Sequence, residues 1–192
     1  KHLNDFISWK TTEGEFLAAV DWQNSWGFDW ALYRPLLLFA RDHGLPVIAL
    51  NAPREIVRKV SRNGLDSLSP ADRAWIAKEV DTGNTAHRQR YDQMMGGHPH
   101  GDPEQMYQAM CVWDDTMAES AAHFLDERPD WRLLVIAGNG HVEHGHGIPN
   151  RAAARAGCRA MTIVPRQVHP DQPVDLLEIL TNPPGDFVFF TD

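Results

Sequence analysis

Short apolar runs alternate with longer segments of helical periodicity along the chain. In residues 31–43 the apolar side chains recur at helical spacing. Residues 45–50 (LPVIAL) show no alternation and predict a buried strand. Pro53 then opens a helix that ends at Gly64. This helix, strand, helix succession is typical of an α/β fold.

The same succession continues through the rest of the chain. The remaining predicted elements are helices from Ser69 toward Glu79, over 85–95 and from Asp102 to before Pro129, a strand at 133–137, a helix at 149–156, and strands at 160–164 and 187–190. We therefore expect an α/β domain with a mostly parallel sheet flanked by helices on both faces. An extra helical subdomain, about residues 69–128, is expected as an insertion within a single domain over 1–192. The count of about four strands is low for one sheet.

Composition excludes several classes of partner. The chain has 192 residues, 43% of them hydrophobic, and a formal net charge of -8. No apolar run reaches the about 18 residues of a membrane span, so the expectation is a soluble globular protein. The acidic balance and the absence of a basic patch argue against nucleic acid as a partner.

Two further groups of residues offer weaker signals for metal. Cys111 and Cys158 have no zinc-type spacing and form no disulfide framework, so both are predicted to be packing residues. The segment 96–101 (GGHPHG) predicts a mobile loop. Its His98 and His100 are either metal ligands or solvated loop residues.

The most informative segment is a histidine-bearing loop at 137–149 (AGNGHVEHGHGIP). It follows the predicted strand at 133–137 and carries His141, His144 and His146. Imidazoles in such a loop lie at the carboxyl edge of a sheet, where open α/β folds bind ligands. The alternative is a solvated loop in which glycine serves the turns and the histidines have no role.

Four segments together carry a family resemblance. They are residues 26–36 (WGFDWALYRPL), 49–55 (ALNAPRE), 113–118 (WDDTMA) and 138–142 (GNGHV) with 147–149 (GIP). In their order and spacing, over about 170 residues, they resemble the ChaN-like haem-binding family. That family is a branch of the superfamily that also holds the Tiki peptidases and the erythromycin-esterase-like proteins.

The resemblance implies two kinds of chemistry. Haem-binding members of the family are linked to bacterial iron uptake, whereas the wider superfamily holds a divalent metal with two Gly-x-x-His motifs, the first of them with a glutamate. Only the second motif, Gly138 to His141, is present here. The first would lie upstream of Lys1, so we expect a chain that lacks an N-terminal segment with one or two strands. A site with one imidazole and no partner glutamate would bind a divalent ion weakly unless another chain supplied the rest.

Haem requires an axial ligand and an apolar slot. The resemblance implies a haem-ligating tyrosine, and Tyr33 is our first choice. Tyrosinate is a suitable ligand for ferric iron in proteins that carry haem rather than use it. Trp26 and Trp30 flank Gly27 and are predicted to be pocket walls. A half-buried, hydrogen-bonded Tyr33 is the structural alternative. Tyr107 and then Tyr91 are the next candidate ligands, although the helical stripe that holds Tyr107 favours packing.

Cationic and imidazole groups complete the candidate site. Arg34 and Arg54 are predicted to face the haem propionates, with ordinary ion pairs as the alternative. His141 is predicted to be a metal ligand, a second haem contact or a general base. Asp114 could orient either His141 or Arg54, or form an ion pair on the helix face. His144 and His146 either extend the site or are surface residues, and the surface position is favoured.

The expected function is therefore haem binding in bacterial iron uptake, through a tyrosine ligand and as a homodimer. The alternative is a divalent-metal-dependent hydrolase similar to the Tiki peptidases, with His141 as a ligand. The resemblance also implies membrane-associated uptake machinery as a partner and the bacterial cell envelope as the compartment. Enzymatic activity is the less favoured interpretation.

Overall fold

The computed structural model describes residues 1–96, 101–168, 171 and 174–191. They fall into two compact units, Lys1–Ala49 and Leu50–Asp192. The helices of the described part are α1 (His2–Ile7), α2 (Glu13–Ala19), α3 (Trp22–Ser25), α4 (Trp30–Asp42), α5 (Arg54–Asn63), α6 (Pro70–Arg73), α7 (Thr85–Met95), α8 (Pro103–Asp126), α9 (Ile148–Ala156) and α10 (Leu176–Thr181). The strands are β1 (Ile163–Gln167) and β2 (Phe187–Thr191).

The first unit is a small helical cluster built from α1 to α4. Thr12 closes a capping box with Glu15 at the start of α2, and the Asp29 side chain accepts a hydrogen bond at the start of α4. Phe6 and Phe16 are buried, and their rings stack with centroids 4.7 Å apart. The helix predicted over 31–43 is confirmed as α4.

Helix α8 forms the centre of the second unit. It begins where predicted, because Asp102 accepts hydrogen bonds from two backbone N–H groups of the first turn and Pro103 fits the first helical position. Thirteen of its 24 residues are buried, and the helix packs against α5 and α9. The core shared with α5 consists of Ala52, Ile56, Val57, Val60, Leu68, Ile76, Ala109 and Val112.

The sheet is smaller than predicted. β1 and β2 pair in parallel, with Ile163 opposite Phe187, and form the sheet of the described residues. The strands predicted at 45–50 and 133–137 are wrong, since both segments lack a backbone ladder. An apolar run sets strand propensity, but a strand also requires a neighbour for its hydrogen bonds, and these runs have none in the described chain.

The mixed α/β class is confirmed, but a sheet covered by helices on both faces is not. Ile163 is 67% exposed and Phe187 57% exposed, so one face of the sheet carries uncovered apolar side chains. The strand predicted at 160–164 begins three residues later, at Ile163, whereas the strand predicted at 187–190 is confirmed as β2.

The described part of 69–128 carries α6, α7 and α8 and no strand. The helix predicted from Ser69 toward Glu79 ends at Arg73. Cys111 is buried as predicted, whereas Cys158 is exposed and its predicted packing role is wrong. Within the predicted loop 96–101, residues 97–100, and with them His98 and His100, lie outside the described residues.

Candidate functional site

Two adjacent carboxylates in the middle of α8 are completely buried. Asp114 and Asp115 both have 0% exposure. Successive helical side chains point about 100° apart, so the two carboxylates face different neighbours. Buried carboxylates persist only where donors compensate for their lost hydration, so each marks a polar network.

The first network joins Asp114 to the histidine of the Gly-x-x-His motif. His141 ends a single 3₁₀ turn, Asn139–His141, and its Nδ1 lies 2.6 Å from Asp114 Oδ1. The Trp113 ring meets the His141 ring edge to face, with centroids 5.9 Å apart. Of the alternatives for Asp114, the structure confirms the contact with His141.

His87 of α7 contacts the same carboxylate. Its Nε2 lies 3.1 Å from Asp114 Oδ2, although the alignment is poorer than that of a good hydrogen bond. Burial would raise the pKa of Asp114, but the contacts with His141 and His87 outweigh burial and lower the pKa below its usual value. Asp114 is therefore an ionised acceptor near neutral pH, and the proton of the short bond lies on His141 Nδ1.

This arrangement determines what His141 can do. With the proton on Nδ1, the Nε2 of a neutral His141 carries a lone pair, and it has no hydrogen-bond partner among the described residues. An imidazole oriented by a carboxylate in this way is a good metal ligand or proton acceptor. His141 is about one-fifth exposed, so the ring is accessible.

Two glycines allow close packing of the loop that carries His141. A Cβ at Gly147 would lie 2.3 Å from the His141 carbonyl oxygen and 3.2 Å from Asp114 Oδ1. A Cβ at Gly140 would lie 2.8 Å from the Met94 sulfur. Gly140 and Gly147 therefore serve the packing around His141, whereas a Cβ at Gly138 of the motif would meet no close contact.

The second network surrounds Asp115. Arg151 of α9 pairs with Asp115 Oδ2, and Arg155, one turn later, lies 2.6 Å from Asp115 Oδ1. The backbone N–H of Asp81 donates to the same carboxylate at 2.9 Å. This network ties α9 and the segment before α7 to α8.

A cleft of about 190 Å³ has Arg90, His144 and His146 among its lining residues. Arg90 pairs with the buried Glu143. The two histidine rings face each other with centroids 6.0 Å apart, and both are half-buried rather than displayed on the surface. Burial, together with nearby His144 and His87, lowers the pKa of His146.

The predicted haem ligand lies in the first unit. Tyr33 is half-buried in α4, and its ring contacts Trp22, Trp26 and Phe28 at centroid distances of 5.6, 5.6 and 6.2 Å. The structure thus brings Trp26 to Tyr33. The Trp30 ring contacts the Trp22 ring, with centroids 4.9 Å apart.

Arg34 and Trp30 share one acceptor in this unit. Glu13 Oε1 accepts from Trp30 Nε1 at 2.8 Å and from Arg34 Nε at 2.9 Å. Arg54, at the first position of α5, and His141 both belong to the second unit.

The alternative tyrosine ligands are packed in the second unit. Tyr107 has 0% exposure and Tyr91 is also buried. Burial raises the pKa of both hydroxyls, most strongly for Tyr107. Because burial opposes the phenolate form, a packing role fits both residues better than ligation.

His87, Arg151 and Arg155 were not predicted from the sequence. Arg151 and Arg155 are four residues apart on a short helix otherwise rich in alanine, and this spacing was the available signal for a shared acidic partner. His87 gave no local signal, since its partners come from α8 and α9.

Two features are absent from the described residues: a cluster of metal ligands and a membrane-spanning helix. Within 1–96, 101–168, 171 and 174–191, no three His, Cys, Asp or Glu side chains are placed to hold a metal ion. The same residues include no helix with the length and apolar character needed to cross a bilayer.

Comparison with known proteins identifies relatives. The family model described as "Haem-binding uptake, Tiki superfamily, ChaN" matches residues 1–152. The chain is also similar to Protein RETICULATA-RELATED 5, chloroplastic, of Arabidopsis thaliana, with 25% identity over 178 residues. That alignment covers 85% of this chain but 24% of the plant protein, so the chain spans about a quarter of that relative's length. No solved structure matches the chain.

Proposed function

Because the chain belongs to the ChaN haem-binding uptake family of the Tiki superfamily, we propose that it binds haem in iron uptake, with Tyr33 as the axial ligand. Ferric iron accepts a phenolate oxygen readily, and tyrosinate ligation suits a protein that carries haem. Haem supplies the iron centre when bound, whereas the chain supplies the ligand, an apolar surface and a cation.

The observation that carries this proposal is an exposed apolar surface around Tyr33. Phe28 is 56% exposed, Leu32 67% and Leu36 44%. Leu32 and Leu36 are one turn apart on α4, Leu36 follows Tyr33 by three residues, and Phe28 contacts the Tyr33 ring. Large apolar side chains clustered on a surface mark a binding site for an apolar group. The residues present therefore fit a flat, apolar macrocycle.

Arg34 is the cation proposed for a propionate. It follows Tyr33 in α4 and uses Nε for both hydrogen bonds to Glu13. Its two terminal nitrogens make no hydrogen bond with the described residues and can donate to a carboxylate. Glu13 fixes the guanidinium from one side and so preorganises it.

A haemin titration followed by visible absorption tests the proposal. The chain should show a saturable band near one haem per chain, and Tyr33→Phe should shift or abolish that band. Tyr91→Phe is the matched control, because it removes the same hydroxyl from a buried tyrosine and should leave the band unchanged. The absence of a saturable band would overturn haem binding. A band that Tyr33→Phe leaves unchanged would overturn Tyr33 as the ligand.

A second candidate is a divalent-metal-dependent hydrolase, favoured by the Asp114 contact that orients His141. One oriented imidazole is a single ligand, so tight metal binding would need further ligands. Elemental analysis after loading with Zn²⁺ or Mn²⁺ tests this candidate: stoichiometric metal that His141→Ala abolishes supports it, and substoichiometric metal overturns it.

Homodimerisation and the compartment remain parts of the proposal. Light scattering with and without haemin should give twice the chain mass in the haem-bound state if the dimer forms. The family resemblance implies a bacterial cell envelope, whereas the plant relative is named as a chloroplast protein. Fractionation of source cells with an antibody to this chain distinguishes the two compartments.

A further inference from the structure

Asp114 is contacted by a different histidine on each carboxylate oxygen. Oδ1 lies 2.6 Å from His141 Nδ1, and Oδ2 lies 3.1 Å from His87 Nε2. Asp114 and His87 are both buried, with exposures of 0% and 2%. His141, about one-fifth exposed, therefore lies at the outer end of a chain of polar contacts that continues into the interior.

The inner end of this chain fixes the tautomer of His87. Arg151 Nη2 lies 3.1 Å from His87 Nδ1, and the Tyr107 hydroxyl lies 3.3 Å from the same nitrogen. A guanidinium has donors only, so His87 Nδ1 must accept. A neutral His87 consequently carries its proton on Nε2, the nitrogen that approaches Asp114.

That N–H is the donor available to the second oxygen of Asp114. Neither His87 Nε2 nor Asp114 Oδ2 has a well-aligned hydrogen-bond partner among the described residues, and the two atoms lie within hydrogen-bond distance of each other. A buried carboxylate oxygen without a hydrogen-bond donor is destabilising, and more so when the group is charged. Asp114 therefore depends on His87 to keep the orientation in which Oδ1 meets His141.

We propose that His87 is a positioning residue that acts on His141 through Asp114, so that His141 keeps its proton on Nδ1 and presents the lone pair of Nε2. This inference rests on the role of His141 in the second candidate function and adds a residue to that site. His87 touches neither haem nor a metal in this assignment.

Histidine tautomers read by ¹⁵N NMR test the proposal without any ligand. In the ¹⁵N-histidine-labelled chain at about pH 8, above the ordinary histidine pKa of about 6.5, His141 should be the Nδ1–H tautomer and His87 the Nε2–H tautomer. His87→Leu removes the donor and should shift His141 toward the Nε2–H tautomer. His87→Gln keeps an N–H donor and should restore the Nδ1–H tautomer. His123→Leu, at an exposed site on α8, is the control and should change neither signal.

Several outcomes would overturn the assignment. An Nδ1–H tautomer of His87 in the unmodified chain would exclude the hydrogen bond from Arg151. A folded His87→Leu variant with His141 unchanged would exclude the positioning role. If His87→Leu does not fold, the unmodified chain and His87→Gln still decide the matter. Because no haem is present, a failed haemin titration with the predicted tautomers would overturn the proposed function and leave this inference intact.

Discussion

His141 Nδ1 donates a 2.6 Å hydrogen bond to Asp114 Oδ1 across 27 residues of sequence. The bond attaches the glycine-rich turn to the middle of α8. Because α8 is the central helix of its unit, the position of His141 is set by a buried side chain of that helix. A histidine in a loop thus acquires a defined tautomer and orientation.

The Asp114 contacts predict an acid-sensitive contribution to stability. The folded pKa of Asp114 lies below its ordinary value of 3.8, so this stabilisation is fully present above about pH 3.8 and is lost as pH falls through the folded pKa. Asp114→Asn should lower the free energy of unfolding by about 2 kcal/mol at pH 7, the scale of a hydrogen bond to a charged group. Urea unfolding of both proteins from pH 7 to pH 3 should show the difference shrinking at the acid end. A constant difference over this range would contradict the prediction.

Gly147→Ala should displace the His141 turn. The new Cβ would lie 2.3 Å from the His141 carbonyl oxygen, a backbone atom that cannot rotate away. We expect the free energy of unfolding, measured with urea, to fall by about 1–3 kcal/mol, as in other overpacked sites. The amide resonance of His141 should also change. Gly14→Ala is the control, because no atom lies within 4 Å of that Cβ and the helix α2 should gain about 0.5–1 kcal/mol. Equal unfolding midpoints for the unmodified chain and Gly147→Ala would disprove the clash.

Helices α4, α5, α7, α8 and α9 were predictable because their signals are local, whereas α1, α2, α3 and α10 were not predicted. Asp102 and Pro103 mark the start of α8, and the apolar stripe is visible within a few turns. The absence of strands at 45–50 and 133–137 was not predictable, because an apolar run does not reveal whether another strand lies beside it. Residues 133–137 do alternate between half-buried and exposed positions, as a strand would, yet they lack the ladder.

The part of the candidate site that could be predicted from the sequence lies in the Gly-x-x-His motif and on α8. His141 stood out through its glycines, and Asp114 was considered as its orienting carboxylate from its place beside Trp113. The partnership of His87 with Arg151 spans 64 residues, and nothing in the local pattern of α7 or α9 specifies it. Such pairings arise from tertiary packing alone.

The carboxyl group of Asp72 should titrate at a much lower pH than that of an ordinary aspartate. Lys59, 2.7 Å away, and then the hydrogen bonds of Ser69 lower the pKa of Asp72 from 3.8 to about 2. A carboxyl ¹³C titration should show this midpoint, and Lys59→Met should move it toward 3.8. Lys78→Met removes an exposed lysine elsewhere and should leave the midpoint unchanged. The stability linked to Asp72 is present above pH 3.8 and is lost as pH falls toward 2. An Asp72 midpoint near 3.8 in the unmodified chain would refute the assignment.

Asp115→Ala should be among the most destabilising single changes in the second unit. It removes the acceptor shared by Arg151 and Arg155 and leaves the buried Arg151 guanidinium without a counter-charge. Removing one partner of a buried pair costs about 3–5 kcal/mol, since the remaining charge stays desolvated. Glu127→Ala is the control, because its ion pair with Arg128 is exposed and should contribute within about 0.5 kcal/mol. Urea unfolding of both variants at pH 7 measures the contrast. If the two variants lose equal stability, the Asp115 network does not hold α9 to α8.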